Sequence, residues 1–180
     1  MTIYLIRHGQ SKFNADYDGT GDPLWWDAGL TEKGRAQALG LREATADLGI
    51  EHLICSPLTR AIQTARLGFP EMIPLVWPLA QEHQEHSCDV GRAPDILAAE
   101  FPELDFSALP DPWGYQGAPN SYGVPVEPLD AFKARITLLR QDLMALPKAR
   151  TALVCHGYVI EELAGVETAN CQIVELKREP

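Results

Sequence analysis

The chain has 180 residues, 46% hydrophobic and 22% charged, the make-up of one globular domain with a sizeable core. Acidic residues outnumber basic ones 25 to 15, a net charge of −10, which argues against a general nucleic-acid binder that relies on Lys and Arg. Nothing approaches the roughly 18 consecutive apolar residues of a membrane helix, and the N-terminal apolar stretch, ended by Arg7 with no basic lead, does not read as a signal peptide.

Ile3-Tyr4-Leu5-Ile6 predicts a first buried strand, short, β-branched and aromatic. Arg7, His8 and Gly9 follow at once, and a loop rich in Gly and Asp runs through Asp16 to Pro23. Thr31 is placed to cap a helix over 32–48, with Leu41, Ala44 and Leu48 inward and Gly49 as its stop. His52 to Cys55 predicts a second strand, after which Pro57 opens a helix that ends near Gly68. Met72 to Trp77 predicts a third strand, interrupted by Pro74 and Pro78.

From Gln81 to Val126 the chain turns rich in Pro, Gly, Trp and Asp, with one helical patch over 96–100. Such an excursion is usually functional or disordered, and its aromatic residues argue against disorder. It is expected to form a lid and specificity wall, with structural cover as the competing role. Leu129, Phe132, Ile136, Leu139, Leu143 and Leu146 then recur at helical spacing between Pro128 and Pro147. Thr151 to Cys155 predicts a fourth strand, running directly into His156-Gly157. A short helix over 159–163 and a strand over 171–176 follow. Strands alternating with helices predict a three-layer α/β/α sandwich on a mostly parallel sheet, one domain over 1–180.

Cys55, Cys88, Cys155 and Cys171 show neither CxxC nor zinc spacing, so buried thiols in the cytoplasm are expected. His83 and His86 form an HxxH pair, but no carboxylate–His pattern of a zinc site surrounds them. No metal, cofactor, nucleic-acid or membrane partner is expected, and nothing in the sequence speaks to oligomeric state.

His8 and His156 each follow a predicted strand, and in open α/β sheets ligands bind beyond the carboxyl ends of strands. Arg7 adjoins His8, and Arg60 lies just after the second strand. Two guanidiniums and two imidazoles converging on one point make a pocket for a tetrahedral dianion. Either feature alone is more often a turn or a solvated charge; the combination at strand exits carries the weight.

RHGQSKFN (Arg7 to Asn14) resembles the RHGxSxxN motif of the histidine phosphatase, or phosphoglycerate mutase-like, superfamily. The resemblance continues through Leu30-Thr31, Gly34 and Gln37-Ala38, like LTxxGxxQA, and through Ser56, Arg60 and Gln63-Thr64-Ala65, like SxxxRAxQTA. It includes His156-Gly157 and Asn170. It implies the phosphoglycerate mutase-like fold, with His8 attacking phosphorus to form a phosphohistidine. Arg7, Arg60 and His156 would bind the phosphoryl oxygens, with Asn14 and the Gly157 N–H as further donors.

The resemblance also implies a carboxylic acid that protonates the leaving group. Glu82, in Leu79-Ala80-Gln81-Glu82, fits that position, and Glu85 competes with it. The implied activity is a metal-independent phosphomonoesterase acting on a small phosphorylated metabolite. The alternatives are a mutase-type phosphoryl transfer and a non-catalytic phosphate-binding protein. The absence of ERHYGxLxG weighs against a glycolytic mutase, as does a sequence that ends soon after its last strand. The long stretch before His156 weighs against a phosphohistidine-protein phosphatase.

Overall fold

The computed structural model describes residues 2–176. Five strands form one sheet: β1 (Thr2–Arg7), β2 (His52–Cys55), β3 (Leu75–Val76), β4 (Arg150–Cys155) and β5 (Ile173–Glu175). Their order is β3-β2-β4-β1-β5, parallel throughout except for β5, which runs antiparallel to β1.

The strands alternate between two buried faces, as a pleated strand must. Ile6, Leu53, Cys55, Ala152 and Val154 face one core. Ile3, Leu5, Ile54, Leu153 and Cys155 face the other. Helices α2 (Glu32–Ala44) and α3 (Thr59–Gly68) cover the first face, through Leu41, Ala61, Ile62 and Ala65. Helices α5 (Leu129–Ala145) and α6 (Gly157–Ala164) cover the second, through Phe132, Ile136, Leu139, Val159 and Ile160. This is the three-layer sandwich that the sequence pattern predicts.

Several boundaries differ. A five-residue helix, α1 (Lys12–Asp16), replaces loop after β1 and is nucleated by a capping box of Ser11 with Asn14. The inward face of α2 is Gly34, Ala38 and Leu41, whereas Ala44 is exposed and a separate 3-10 turn takes Ala46–Leu48. The helix lies close against α3, where a Cβ at Gly68 would come within 3.1 Å of Leu41. α3 starts at Thr59, after Pro57, because Asp27 accepts its first N–H at 2.9 Å. The third strand shrinks to two residues, since Pro74 and Pro78 cannot donate to the ladder.

The 81–126 excursion divides in two. Phe101, Leu104, Phe106, Leu109 and Trp113 sink into the core over α3, following the short helix α4 (Pro94–Glu100). Residues 81–90 meet instead the starts of α3 and α6, through Arg60 and Tyr158. Cys55, Cys88 and Cys155 are buried free thiols and Cys171 is half-buried. No helix among the described residues is long and apolar enough to cross a membrane.

Candidate active site

β1 and β4 lie side by side in the sheet, with Arg7 opposite Cys155. The next residue of each strand is a histidine, so parallel register alone sets His8 beside His156. Their ring centroids are 5.2 Å apart. Both rings are buried, His8 at 3% and His156 at 0% exposure.

The tautomer of His8 follows from its partners. Nδ1 lies 2.7 Å from the Gly9 carbonyl oxygen, which can only accept, so Nδ1 carries the proton. Nε2 is left unprotonated, and its lone pair accepts from Arg60 Nε at 3.2 Å. Burial above all, and then the Arg60 charge, hold the imidazole pKa well below its usual value, so the ring is neutral. A neutral imidazole with an unprotonated, rigidly mounted Nε2 has the electronic form that a nucleophile needs.

Arg60 is itself fully engaged on its far side. Nη1 donates to the Cys88 carbonyl at 2.5 Å and Nη2 to Asp89 Oδ1 at 2.8 Å. Asp89 and Arg60 form a buried ion pair, with side chains 5% and 3% exposed. Losing one member of such a pair leaves an uncompensated buried charge. Asp89, seven residues after Glu82, is thus a site residue that sequence reasoning missed.

Arg7 donates through Nη1 to the Thr168 carbonyl. Among the described residues its Nε is buried without a partner, as is Nδ1 of His156. Nε2 of His156 is 2.7 Å from Ser56 Oγ. Buried polar groups are nearly always hydrogen-bonded. Two orphaned atoms on residues flanking His8 mark a place where a polar ligand completes the bonding. Burial, then the Arg60 charge and the other cations, also lower the pKa of His156, so an anion must arrive before that ring gains a second proton.

The two remaining phosphate-binding candidates are in position. Asn14 lines the cavity, and its Oδ1 accepts from Ser11 N at 3.2 Å and Asn170 Nδ2 at 3.4 Å. Those two contacts leave the amide Nδ2 for a ligand. Gly157, at the first turn of α6, also lines the cavity and lies against the Arg7 guanidinium.

The two glutamate candidates separate clearly. Glu82 lines the same cavity as His8, Arg7 and Arg60, whereas Glu85 does not and sits 3.6 Å from His83 Nδ1. Glu82 accepts from its neighbour His83 N at 3.0 Å and from Tyr158 N at 3.3 Å. Burial, and then the nearby Asp89 charge, raise its pKa from 4.5 to about 7. The HxxH histidines diverge: His83 Nε2 bonds the Glu127 carbonyl at 2.8 Å, while His86 packs on Phe13 and Tyr17.

The family model of the histidine phosphatase superfamily, branch 1, matches residues 3–169. The chain belongs to this superfamily. It is 36% identical over 118 residues to a probable phosphatase of Schizosaccharomyces pombe. That match covers 59% of this chain and 52% of the relative, about half its length. It is 27% identical to a 2,3-bisphosphoglycerate-dependent phosphoglycerate mutase of Sphingopyxis alaskensis, over 97% of this chain and 88% of that protein. Among solved structures, a phosphoglycerate mutase of Thermus thermophilus superposes with a TM-score of 0.59 at 26% identity, over 97% of this chain and 92% of that one. Its phosphoglycerate mutase-like fold is therefore shared with members of both kinds, phosphatases and mutases.

The superfamily motifs divide between chemistry and bracing. Gly34 and Gln37 of the LTxxGxxQA stretch never reach the cavity. Gln37 Oε1 accepts the Gln10 N–H at 2.9 Å, and Thr31 N donates to the Gln10 carbonyl at 2.9 Å. Gln63 accepts from Leu30 N at 2.8 Å, and Thr64 Oγ1 accepts from Gly9 N at 3.0 Å. These residues clamp the loop that carries His8.

Proposed function

We propose that this protein is a phosphatase that hydrolyses a small phosphomonoester through a phosphohistidine on His8. The observation that carries the reading is the pairing of His8 with Glu82. A neutral imidazole with an unprotonated Nε2 shares a cavity with a carboxyl whose pKa is raised to about 7.

In the first step the Nε2 lone pair attacks phosphorus and the bond from phosphorus to the leaving oxygen breaks. Glu82 gives its proton to that oxygen, so an alcohol departs instead of an alkoxide. Arg60 and Arg7 bind the phosphoryl oxygens, and Arg60 Nε turns from His8 to the incoming group. His156, Asn14 and the Gly157 N–H add donors. In the second step water attacks phosphorus, Glu82 takes its proton, and the phosphorus–nitrogen bond breaks. Inorganic phosphate leaves, and His8 recovers its lone pair.

Residues 81–90 form one wall of the substrate cavity in this reading, while 101–113 serve as cover for the core. A cytoplasmic location belongs to the same proposal and is supported by four unpaired thiols. A mutase reading is favoured by the likeness along nearly the whole chain to phosphoglycerate mutases, in sequence and in structure.

Turnover of p-nitrophenyl phosphate by the purified protein, without added metal, tests the proposal. Activity is expected, and His8→Ala is expected to abolish it. An acid-labile, base-stable phosphoenzyme should form on rapid quenching of the wild type and be missing from the variant. Full activity in His8→Ala would overturn the mechanism. Conversion of 3-phosphoglycerate to its isomer in the presence of its bisphosphate, with little phosphate released, would favour the mutase.

A further inference from the structure

Beyond the phosphoryl end, the cavity of about 350 Å³ has walls of one character. Besides His8, four rings line it, those of Phe13, Tyr17, His86 and Tyr158. Phe13, Tyr17 and His86 form a packed triad, with centroid separations of 5.1 Å, 5.1 Å and 5.2 Å. Tyr17 and Tyr158 remain 39% and 49% exposed, so parts of their surfaces are open to a ligand.

The charged groups at this end are all acidic. Glu161, one turn along α6 from Gly157, and Glu167, beside Thr168, line the cavity. Neither forms an ion pair within 4.0 Å among the described residues. Among the described residues, the arginines of the cavity lining are Arg7 and Arg60, and no lysine joins them. Both arginines belong to the phosphoryl end, so the leaving group meets carboxylates and aromatic faces. Burial, followed by the Glu85, Glu82 and Glu161 carboxylates, raises the Tyr158 pKa, which reports the same negative field.

Aromatic rings with unpaired carboxylates recognise cations: the ring face attracts a positive charge, and quaternary ammonium groups are typical guests. A carboxylate on the leaving group would find only like charges there. We infer that the leaving group carries a positive charge, and that the substrate is the phosphomonoester of a small amino-alcohol or quaternary-ammonium alcohol. This inference rests on the phosphatase reading and deepens it.

The test compares phosphocholine and phosphoethanolamine with glycerol 3-phosphate, whose leaving group is neutral, and with 3-phosphoglycerate, whose leaving group is anionic. At low salt kcat/KM should fall in that order. The cationic and anionic extremes should differ by at least about tenfold, what two partly exposed charge contacts supply. Because these carboxylates are exposed, the preference should shrink as salt is raised from about 10 mM to about 500 mM. The double variant Glu161→Gln/Glu167→Gln should lower the ratio of phosphocholine to glycerol 3-phosphate several-fold.

An equal or reversed order, or an unchanged ratio in the double variant, would overturn the inference. Hydrolysis of p-nitrophenyl phosphate by the wild type keeps its failure apart from that of the phosphatase reading. If aryl phosphate is turned over and the order is flat, only the leaving-group inference is wrong. Calorimetric affinities of wild-type protein for phosphocholine and 3-phosphoglycerate test the same preference without turnover. Tighter binding of 3-phosphoglycerate would sink the inference even in a protein that hydrolyses nothing.

Discussion

In the proposed mechanism, Glu82 is where burial becomes reactivity. Its carboxyl, out of water and beside Asp89, holds its proton to about pH 7. As a general acid it works protonated, so turnover of an alkyl phosphate should decline as pH rises through about 7. An aryl phosphate, whose leaving group needs less help, should decline far less. Glu82→Gln should cost about 10²–10⁴ in kcat on alkyl phosphates and much less on aryl phosphates. Equal losses on both would assign the proton to another group. The same shift is a stability statement. The folded pKa lies above the unfolded value of 4.5, so the folded state binds the extra proton between 4.5 and about 7. That contribution is full below 4.5 and is lost as pH rises through about 7, which urea denaturation at about pH 5 and about pH 8 reads directly.

Asp89 is the residue-scale counterpart on the cationic side. It holds Arg60 in place at 2.8 Å inside the protein. Asp89→Ala should lower stability by about 3–5 kcal/mol, because it strands a buried guanidinium. KM for an aryl phosphate should rise together with the loss of stability. A stable variant with unaltered KM would mean that Arg60 needs no such anchor.

Among the elements, the junction of β1 with α2 decides the precision of the site. A Cβ at Gly9 would fall 2.4 Å from the Gly34 carbonyl oxygen, and one at Gly34 would fall 2.0 Å from that of Gln10. Both contacts are to backbone, which cannot swing aside. The two glycines are there for close approach, letting the start of α2 sit directly against the loop that carries His8. Gly34→Ala should therefore destabilise by about 1–3 kcal/mol. It should also reduce kcat through displacement of His8, although Gly34 lies outside the cavity. Loss of stability with full kcat would show that the loop tolerates the shift. Bracing of this kind explains why Thr31, Gln37, Gln63 and Thr64 recur in the motifs with no chemistry to do. They satisfy the donors and acceptors of a loop that has to be rigid.

At the scale of the molecule, the irregular middle of the chain is part core and part site. Trp113 is 6% exposed, donates Nε1–H to the Arg92 carbonyl at 2.7 Å, and covers Gly91 so closely that a Cβ there would overlap its ring. Trp113→Ala should cost about 3–5 kcal/mol, measured by denaturant unfolding. KM for an aryl phosphate should change little under conditions where the variant stays folded. A large KM effect with little loss of stability would return this segment to the role of lid. Arg92 extends the connection, bonding Asp27 at 2.8 Å and Thr59 at 2.6 Å at the start of α3, one residue before Arg60. The excursion thus steadies the helix that presents Arg60 from outside the cavity.

The alternation of short apolar strands with amphipathic helices was enough to set the layers and the parallel sheet, because pleat and helix period are local properties. Arg7, His8, Arg60 and His156 were legible for a related reason. His8 and His156 each directly follow a buried strand that dictates their place, Arg7 closes β1 itself, and Arg60 lies on the first turn of the helix that follows β2. Distance along the chain hid the rest. Asp89 on Arg60, Thr168 on Arg7 and Ser56 on His156 are partners 29, 161 and 100 positions away, and no spacing rule connects them. The choice of Glu82 over Glu85 was likewise tertiary. Only the packing of 81–90 against the starts of α3 and α6 turns one carboxyl into the cavity and leaves the other beside His83. The sequence by itself determined which groups sit at the strand ends. The tertiary structure decided their protonation, because burial and long-range charge, not residue type, set which of them holds a proton near neutral pH.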